Sequence, residues 1–211
     1  MSYLYDVFVS YRRHAEWTPW TRDHVRVLLD AYLTQELPEK PRIFVDEQIE
    51  PSADWPHRLG DCLARSRVLL PIFSGDYFNS DWCLSELDLM HIRLGRFPES
   101  QLIFPVLGHD GELIPDEIAR ITPADLRAFR NTDLQRHTPR YELFSEAIRR
   151  HAPDLAAAID SAPAFDSAWV DECRVRFDQV YGWHCGRCAA PALISITRKP
   201  RPAISVPRVT P

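Results

Sequence analysis

The chain has 211 residues, 45% of them hydrophobic and 26% charged, with a formal net charge of −5. Those values fit one folded domain of about 150 residues plus an appendage. They exclude the broad basic field of a general nucleic-acid binder, and no apolar run approaches the roughly 18 residues that span a bilayer.

Five cysteines, the first two far apart, suggest no disulfide framework. The N-terminus has neither the basic nor the apolar region of a secretion signal. The expected compartment is the cytoplasm, with no nucleic acid and no membrane as partner.

Tyr5 to Ser10 reads as a first strand, ended by the polar cluster Tyr11-Arg12-Arg13-His14. Apolar residues at Val25, Leu28, Leu29, Tyr32 and Leu33 give a helical period. That predicts a helix over Pro19 to Leu37, with Thr18 as N-cap. Arg42 to Val45 is a second strand, followed by a turn-rich loop from Asp46 to Asp54 and a helix from Trp55 to about Ser66. Val68 to Phe73 is a continuous apolar run, as in a strand covered on both faces, although Pro71 interrupts its pattern.

The spacing then predicts a helix from Asp81 or Trp82 to about Arg96, a fourth strand at Leu102 to Leu107, a short helix or turn at Ile114 to Ile121, and a weak fifth strand at Asp125 to Phe129. Thr138-Pro139 opens a last helix reaching about Ile159, broken at Pro153. Residues 1–160 thus form one α/β domain. Residues 161–211 form an extension with a short amphipathic helix at Trp169 to Tyr181, and a basic, proline-rich end from Arg198 that has the composition of a disordered linker.

Alternating strands and helices predict a parallel sheet with helices on both faces. Ligands of such sheets bind beyond the carboxyl ends of the strands. That rule selects Ser10 to Arg13, Asp46 to Trp55, and Ser74 to Glu86. Neither G-x-G-x-x-G nor a Walker A pattern occurs, so the usual phosphate-cradling loops are excluded. Cys173, His184, Cys185 and Cys188 are too weakly patterned to establish a zinc site.

The run Tyr5 to Tyr11, the segment Ile43 to Glu47 with Pro51 to Trp55, and the block Arg65 to Ser74 with Tyr77-Phe78 and Trp82-Cys83-x-x-Glu86 occur in an order and spacing that resemble TIR (Toll/interleukin-1 receptor) domains over roughly residues 3–150. The resemblance implies a flavodoxin-like, three-layer α/β fold with a five-stranded parallel sheet. It also implies one of two jobs. One branch of the family cleaves NAD+ to nicotinamide and ADP-ribose or a cyclic isomer, in immune-type signalling or anti-phage defence. The other is a non-catalytic module for homotypic assembly. In the enzymatic branch Glu86 matches the catalytic glutamate, NAD+ is the substrate, and there is no resident cofactor or metal. In TIR enzymes the loop between Asp46 and Trp55 commonly completes the site of the next subunit, so self-association, or pairing with other TIR domains, is expected. Pro51-Ser52 departs from the Pro-Gly often found in that loop.

One carboxylate suffices for this chemistry, because nicotinamide leaves as a neutral pyridine and needs no general acid. What remains is an oxocarbenium-like transition state, which a placed carboxylate stabilises electrostatically. On helix geometry Cys83, Leu87, Met90 and Leu94 form a core stripe, with Glu86 beside it and on a face with Trp82. The bland alternative for Glu86 is a carboxylate set against the helix dipole. Ser10, Arg12, Arg13, Asp46, Trp55, Trp82, Cys83 and Phe8 complete the candidate substrate-binding set. The arginines suit the dinucleotide phosphates, Phe8 and Trp82 suit a flat ring, Trp55 suits substrate or a neighbouring subunit, and Asp46 suits the loop or a ribose. A phosphate-receiving regulator would need an acidic pair such as Asp46 and Glu47, but no matching lysine follows the fifth strand.

Overall fold

The computed structural model describes residues 2–13, 17–46, 54–109, 113–130 and 134–199. Five parallel strands form one sheet in the order β2-β1-β3-β4-β5. They are β1 (Tyr5–Tyr11), β2 (Ile43–Val45), β3 (Ser66–Phe73), β4 (Val106–Leu107) and β5 (Ala124–Asp125). The central strand β1 aligns Phe8 with Phe44 on one side and with Leu69 on the other. Every parallel step needs a crossover; helices on the two faces supply the first three, whereas the described residues between β4 and β5 hold only turns. This is the flavodoxin-like α/β arrangement.

Strand alternation sorts the core into two layers. Phe8, Phe44, Leu69 and Phe73 face α3 (Trp55–Ala64), α4 (Asp81–Arg96) and α7 (Ala168–His184). Val7, Val9, Ile43, Val68 and Leu70 face α2 (Arg26–Glu36), α5 (Pro139–Arg149) and α6 (Ala152–Asp160). No helix among the described residues is long and apolar enough to cross a membrane.

Several elements differ from the sequence expectation for identifiable reasons. The first helical segment starts at Trp17, as α1 (Trp17–Trp20), and passes through a π-helical turn at Thr21–Val25 into α2. Thr18 is therefore inside the helix rather than its N-cap. Pro19 lies in the first turn, where no N–H is needed. The expected fourth strand, 102–107, survives as a bridge between Leu69 and Ile103 and as the two-residue β4. The register places Pro71 opposite Pro105, so neither strand has an N–H to offer at that step. The fifth strand ends at Asp125, and Arg127–Phe129 is a 3₁₀ turn. The last helix divides into α5 and α6. Thr138 caps α5 by accepting from the Tyr141 N–H, and Pro153 falls in the first turn of α6.

The extension is a working part of the core. Trp169, Val170, Cys173, Phe177 and Val180 of α7 are buried, and most of them join the cluster formed by α3, α4 and the sheet. Its end is no free linker either: Arg198 pairs with Asp81 at 2.6 Å and Lys199 with Asp116 at 2.7 Å. The expectation for residues 200–211 lies outside the described residues.

One close approach gives a direct test of the β4 end of the sheet. A Cβ on Gly108 would sit 2.8 Å from the Trp17 ring and 3.3 Å from Ile72. Both neighbours are buried and cannot swing away. Gly108→Ala is expected to cost about 1–3 kcal/mol, seen as a melting temperature lower by several degrees; an unchanged melt would contradict this packing.

Candidate functional site

The described residues of the three segments singled out by the edge rule converge at the carboxyl ends of β1, β2 and β3. Ser10 shares the side of β1 that carries Phe8, because residues two apart point the same way. It therefore faces α4. That helix opens with Ser80, whose hydroxyl accepts from the Cys83 N–H at 3.3 Å. The cap fixes where the helix starts, and so where Glu86, in its second turn, projects.

Glu86 is only 4% exposed, and it is hydrogen-bonded to the buried Ser10 hydroxyl. Ser10 Oγ lies 2.9 Å from the hydroxyl of the fully buried Tyr77, which in turn donates to the Cys83 carbonyl at 3.2 Å. Burial pushes the Glu86 carboxyl up to about 8, the nearby Asp46 charge adds to the rise, and the Ser10 hydrogen bond and Arg13 oppose it. A carboxyl poised this close to neutrality is the kind of group found where proton or charge chemistry occurs.

Around this centre, Arg13 forms an ion pair with Asp46 at 2.6 Å and also donates to its backbone carbonyl. Its guanidinium lies 5.6 Å from the centre of the Trp55 ring. Burial raises the Asp46 carboxyl while Arg13 lowers it. Arg13 is thus committed to holding the β1 and β2 ends together. Arg12 instead reaches Ser80 Oγ at 3.3 Å, which leaves it the better of the two for an incoming anion.

Trp55 and Trp82 meet edge to face with ring centres 4.3 Å apart. The other side of Trp82 carries α7, with the Phe177 and His184 rings parallel to it, each at 5.9 Å. The sequence does not assign Phe177 and His184 to Trp82, or Arg198 to Asp81, because nothing in the extension's pattern says which face it covers. Tyr77 carries a signal in the sequence, since it follows the β3 edge by a few residues, but its spacing alone assigns it no role.

Two candidates are corrected. Phe8 is fully buried with its ring 4.8 Å from Phe44, so it lines the core beneath the site and has no free face for a substrate ring. Cys83 is also buried. Burial pushes its thiol well above the usual range, and its backbone N–H and carbonyl are bonded to Ser80 and Tyr77, so the residue supports the site from within the core. Glu47, Pro51, Ser52 and Ala53 of the loop lie outside the described residues. Cys173 is in the core, and Cys188 donates to the Gln179 carbonyl at 3.4 Å. Among the described residues no group of three potential ligands is gathered for a metal.

A family model described as "TIR domain" matches residues 7–140. The Arabidopsis thaliana protein "SUPPRESSOR OF npr1-1, CONSTITUTIVE 1" is 32% identical over 105 residues, which is 50% of this chain and 6% of that much longer protein. Among solved structures, the TIR domain of the Toll-related receptor TRR-2 from Hydra magnipapillata is similar with a TM-score of 0.43 and 19% identity, covering 58% of this chain and 85% of that one. The TIR domains of the activated Roq1 resistosome, an assembly described as directly recognizing the pathogen effector XopQ, give a TM-score of 0.38 and 16% identity, covering 85% of this chain and 99% of that one.

Proposed function

Starting from the fact that this chain belongs to the TIR domain family, we propose that it cleaves the nicotinamide–ribose bond of NAD+, releasing nicotinamide with ADP-ribose or its cyclic isomer. The observation that carries this reading is the buried Glu86 carboxyl, held by Ser10 at the ligand-bearing edge of the sheet. A pyridinium brought beside it favours the ionised form. The resulting carboxylate stabilises the positive charge that passes to the ribose as nicotinamide departs. In the same reading Arg12 takes a phosphate of the dinucleotide, and Trp55 and Trp82 supply an aromatic wall.

Such an enzyme acts in immune-type signalling or anti-phage defence, in the cytoplasm, and assembles through the segment between Asp46 and Trp55. A second reading, a non-catalytic assembly module, is favoured by one observation: Glu86 is almost closed to solvent in the single chain. Assembly-dependent opening reconciles burial with turnover, whereas a pure module never turns over.

The deciding experiment incubates concentrated protein with NAD+ and identifies products by mass. Nicotinamide is expected from the natural chain and none from Glu86→Ala. Turnover that persists in Glu86→Ala rules out the assignment. No NAD+ loss at any concentration favours the module.

A further inference from the structure

The chain of groups behind Glu86 has a property that its donors and acceptors dictate. Tyr77 has a single hydroxyl proton and faces two acceptors, Ser10 Oγ at 2.9 Å and the Cys83 carbonyl at 3.2 Å. Ser10 also has a single proton and faces two partners, the Glu86 carboxyl and the Tyr77 oxygen. All of these side chains are buried, so water does not make up for an unsatisfied bond.

The geometry points to Tyr77 as a positioning residue that acts through Ser10: the two hydroxyls form a hydrogen-bond chain whose direction reverses when Glu86 gains or loses its proton. The inference rests on the NAD+ reading for its functional meaning, but its physical content does not.

With Glu86 neutral, its carboxyl donates to Ser10, Ser10 donates to Tyr77, and Tyr77 donates to the Cys83 carbonyl. Every proton is used. When the carboxyl proton leaves for solvent, Glu86 becomes an acceptor only, and Ser10 must turn to donate to it. The Ser10 oxygen is then free to accept, and Tyr77 turns from Cys83 to Ser10. The abandoned carbonyl lies in α4, where the helical N–H ladder serves it. The Ser10–carboxylate bond is meanwhile strengthened by the donor behind it. Tyr77 therefore favours the ionised form more than the neutral one.

The other charged and titratable groups near Glu86 come from different elements. Asp46 at the end of β2 opposes ionisation, and Arg13 beyond β1 favours it. Cys83 of α4 is neutral in its buried setting, with Arg12 and Asp46 acting on it from the neighbouring strand ends. None of these replaces the hydroxyl chain, because none is bonded to Ser10.

Thermal melts of the full chain across pH give a readout that does not depend on turnover. The natural chain loses stability relative to its Glu86→Gln counterpart as pH rises, and the loss levels off at the midpoint of Glu86 titration in the fold. Tyr77→Phe is expected to move that midpoint upward by about one pH unit. In the Glu86→Gln background its cost should be the same at every pH. In the turnover assay kcat should fall about tenfold or more, the scale of one charge-assisted hydrogen bond, while KM for NAD+ changes little.

A tyrosine that only fills space lowers the melt equally at all pH values, and an unmoved midpoint overturns the proposal. Ser10→Ala cuts the same chain from the other side and is expected to raise the midpoint as well. If Tyr77→Phe fails to fold, an unmoved midpoint in Ser10→Ala is decisive against the chain. Absence of NAD+ turnover in the natural protein removes the enzymatic reading, and the midpoint still decides the role of Tyr77.

Discussion

A Glu86→Gln variant is expected to melt at a higher temperature than the natural chain at neutral pH and, on the proposed reading, to lack turnover of NAD+. Burial holds the folded-state carboxyl at about 8, against an ordinary value of 4.5. Its pKa is raised on folding, so its stabilising protonated form is fully present below about 4.5. That contribution is lost as pH rises toward and through about 8. Between those limits the unfolded chain ionises Glu86 and the folded chain does not, so stability falls with each pH unit. At pH 7 the cumulative penalty is roughly 3 kcal/mol.

The glutamine amide has the same shape, can still hydrogen-bond Ser10, and carries no ionisation penalty. A gain of roughly 3 kcal/mol corresponds to about 6 °C or more in a chain of this size. The two proteins should converge near pH 4 and reach a constant difference above about pH 9. Natural protein and variant melting together across the whole range would show that Glu86 ionises normally in the fold. If the proposed NAD+ cleavage holds, kcat/KM of the natural chain should rise with pH through about 8, because that reading makes the carboxylate the active form. On the proposed reading, a gain of stability when Glu86 is neutralised is what a trade between activity and stability produces.

Much of this centre was legible in the sequence, for reasons that are physical. Alternation along β1 separates Ser10 from Val9, and strand ends in a parallel sheet gather ligand-binding residues, so Ser10, Asp46 and Glu86 could be placed at one edge. The α4 stripe was read too narrowly. Cys83 through Met90 are all buried, because α4 is covered by the sheet on one side and by α7 on another. A single-stripe reading assumes one solvent face, and here the extension removes it.

What could not be read is pairing over long sequence distance. Trp82 was visible as an aromatic near the site, but its parallel contacts to Phe177 and His184 depend on how α7 crosses α4. Phe8 shows the opposite failure. An aromatic in a strand that leads to the ligand-binding edge suggests a ring-binding wall, yet Phe8 is fully buried mid-strand against Phe44. The π-helical turn at Thr21–Val25 left no local mark either, since the apolar spacing around Val25 and Leu28 fits an ordinary helix as well.

The pairing that matters most for the extension is that of Asp88 with Arg176, and Asp88→Ala is expected to destabilise the chain by about 3–5 kcal/mol. Asp88 is fully buried and accepts from Arg176 at 2.8 Å, with both side chains shielded from solvent. The same carboxylate accepts from the backbone N–H groups of Ile194, Ser195 and Ile196, and from the Ser195 hydroxyl at 2.8 Å. One side chain on α4 thus anchors both α7 and the segment that follows it. Truncating it leaves a buried guanidinium unpaired and the Ile194, Ser195 and Ile196 N–H groups without their carboxylate acceptor. The melt should fall by roughly 10 °C, and hydrogen exchange at residues 194–196 should become fast even where the sheet stays protected.

Asp88→Ala combined with Arg176→Met should recover part of the loss, because the orphaned charge is gone while the strap remains unanchored. If the single variant melts like the natural chain, the extension is not held by this pair. Because Arg198 and His184 approach Asp81, and α7 backs Trp82, release of the strap should also loosen the Trp82 side of the site. Tryptophan emission shifted to longer wavelength in Asp88→Ala, under conditions where the sheet remains folded, is the expected sign of that coupling.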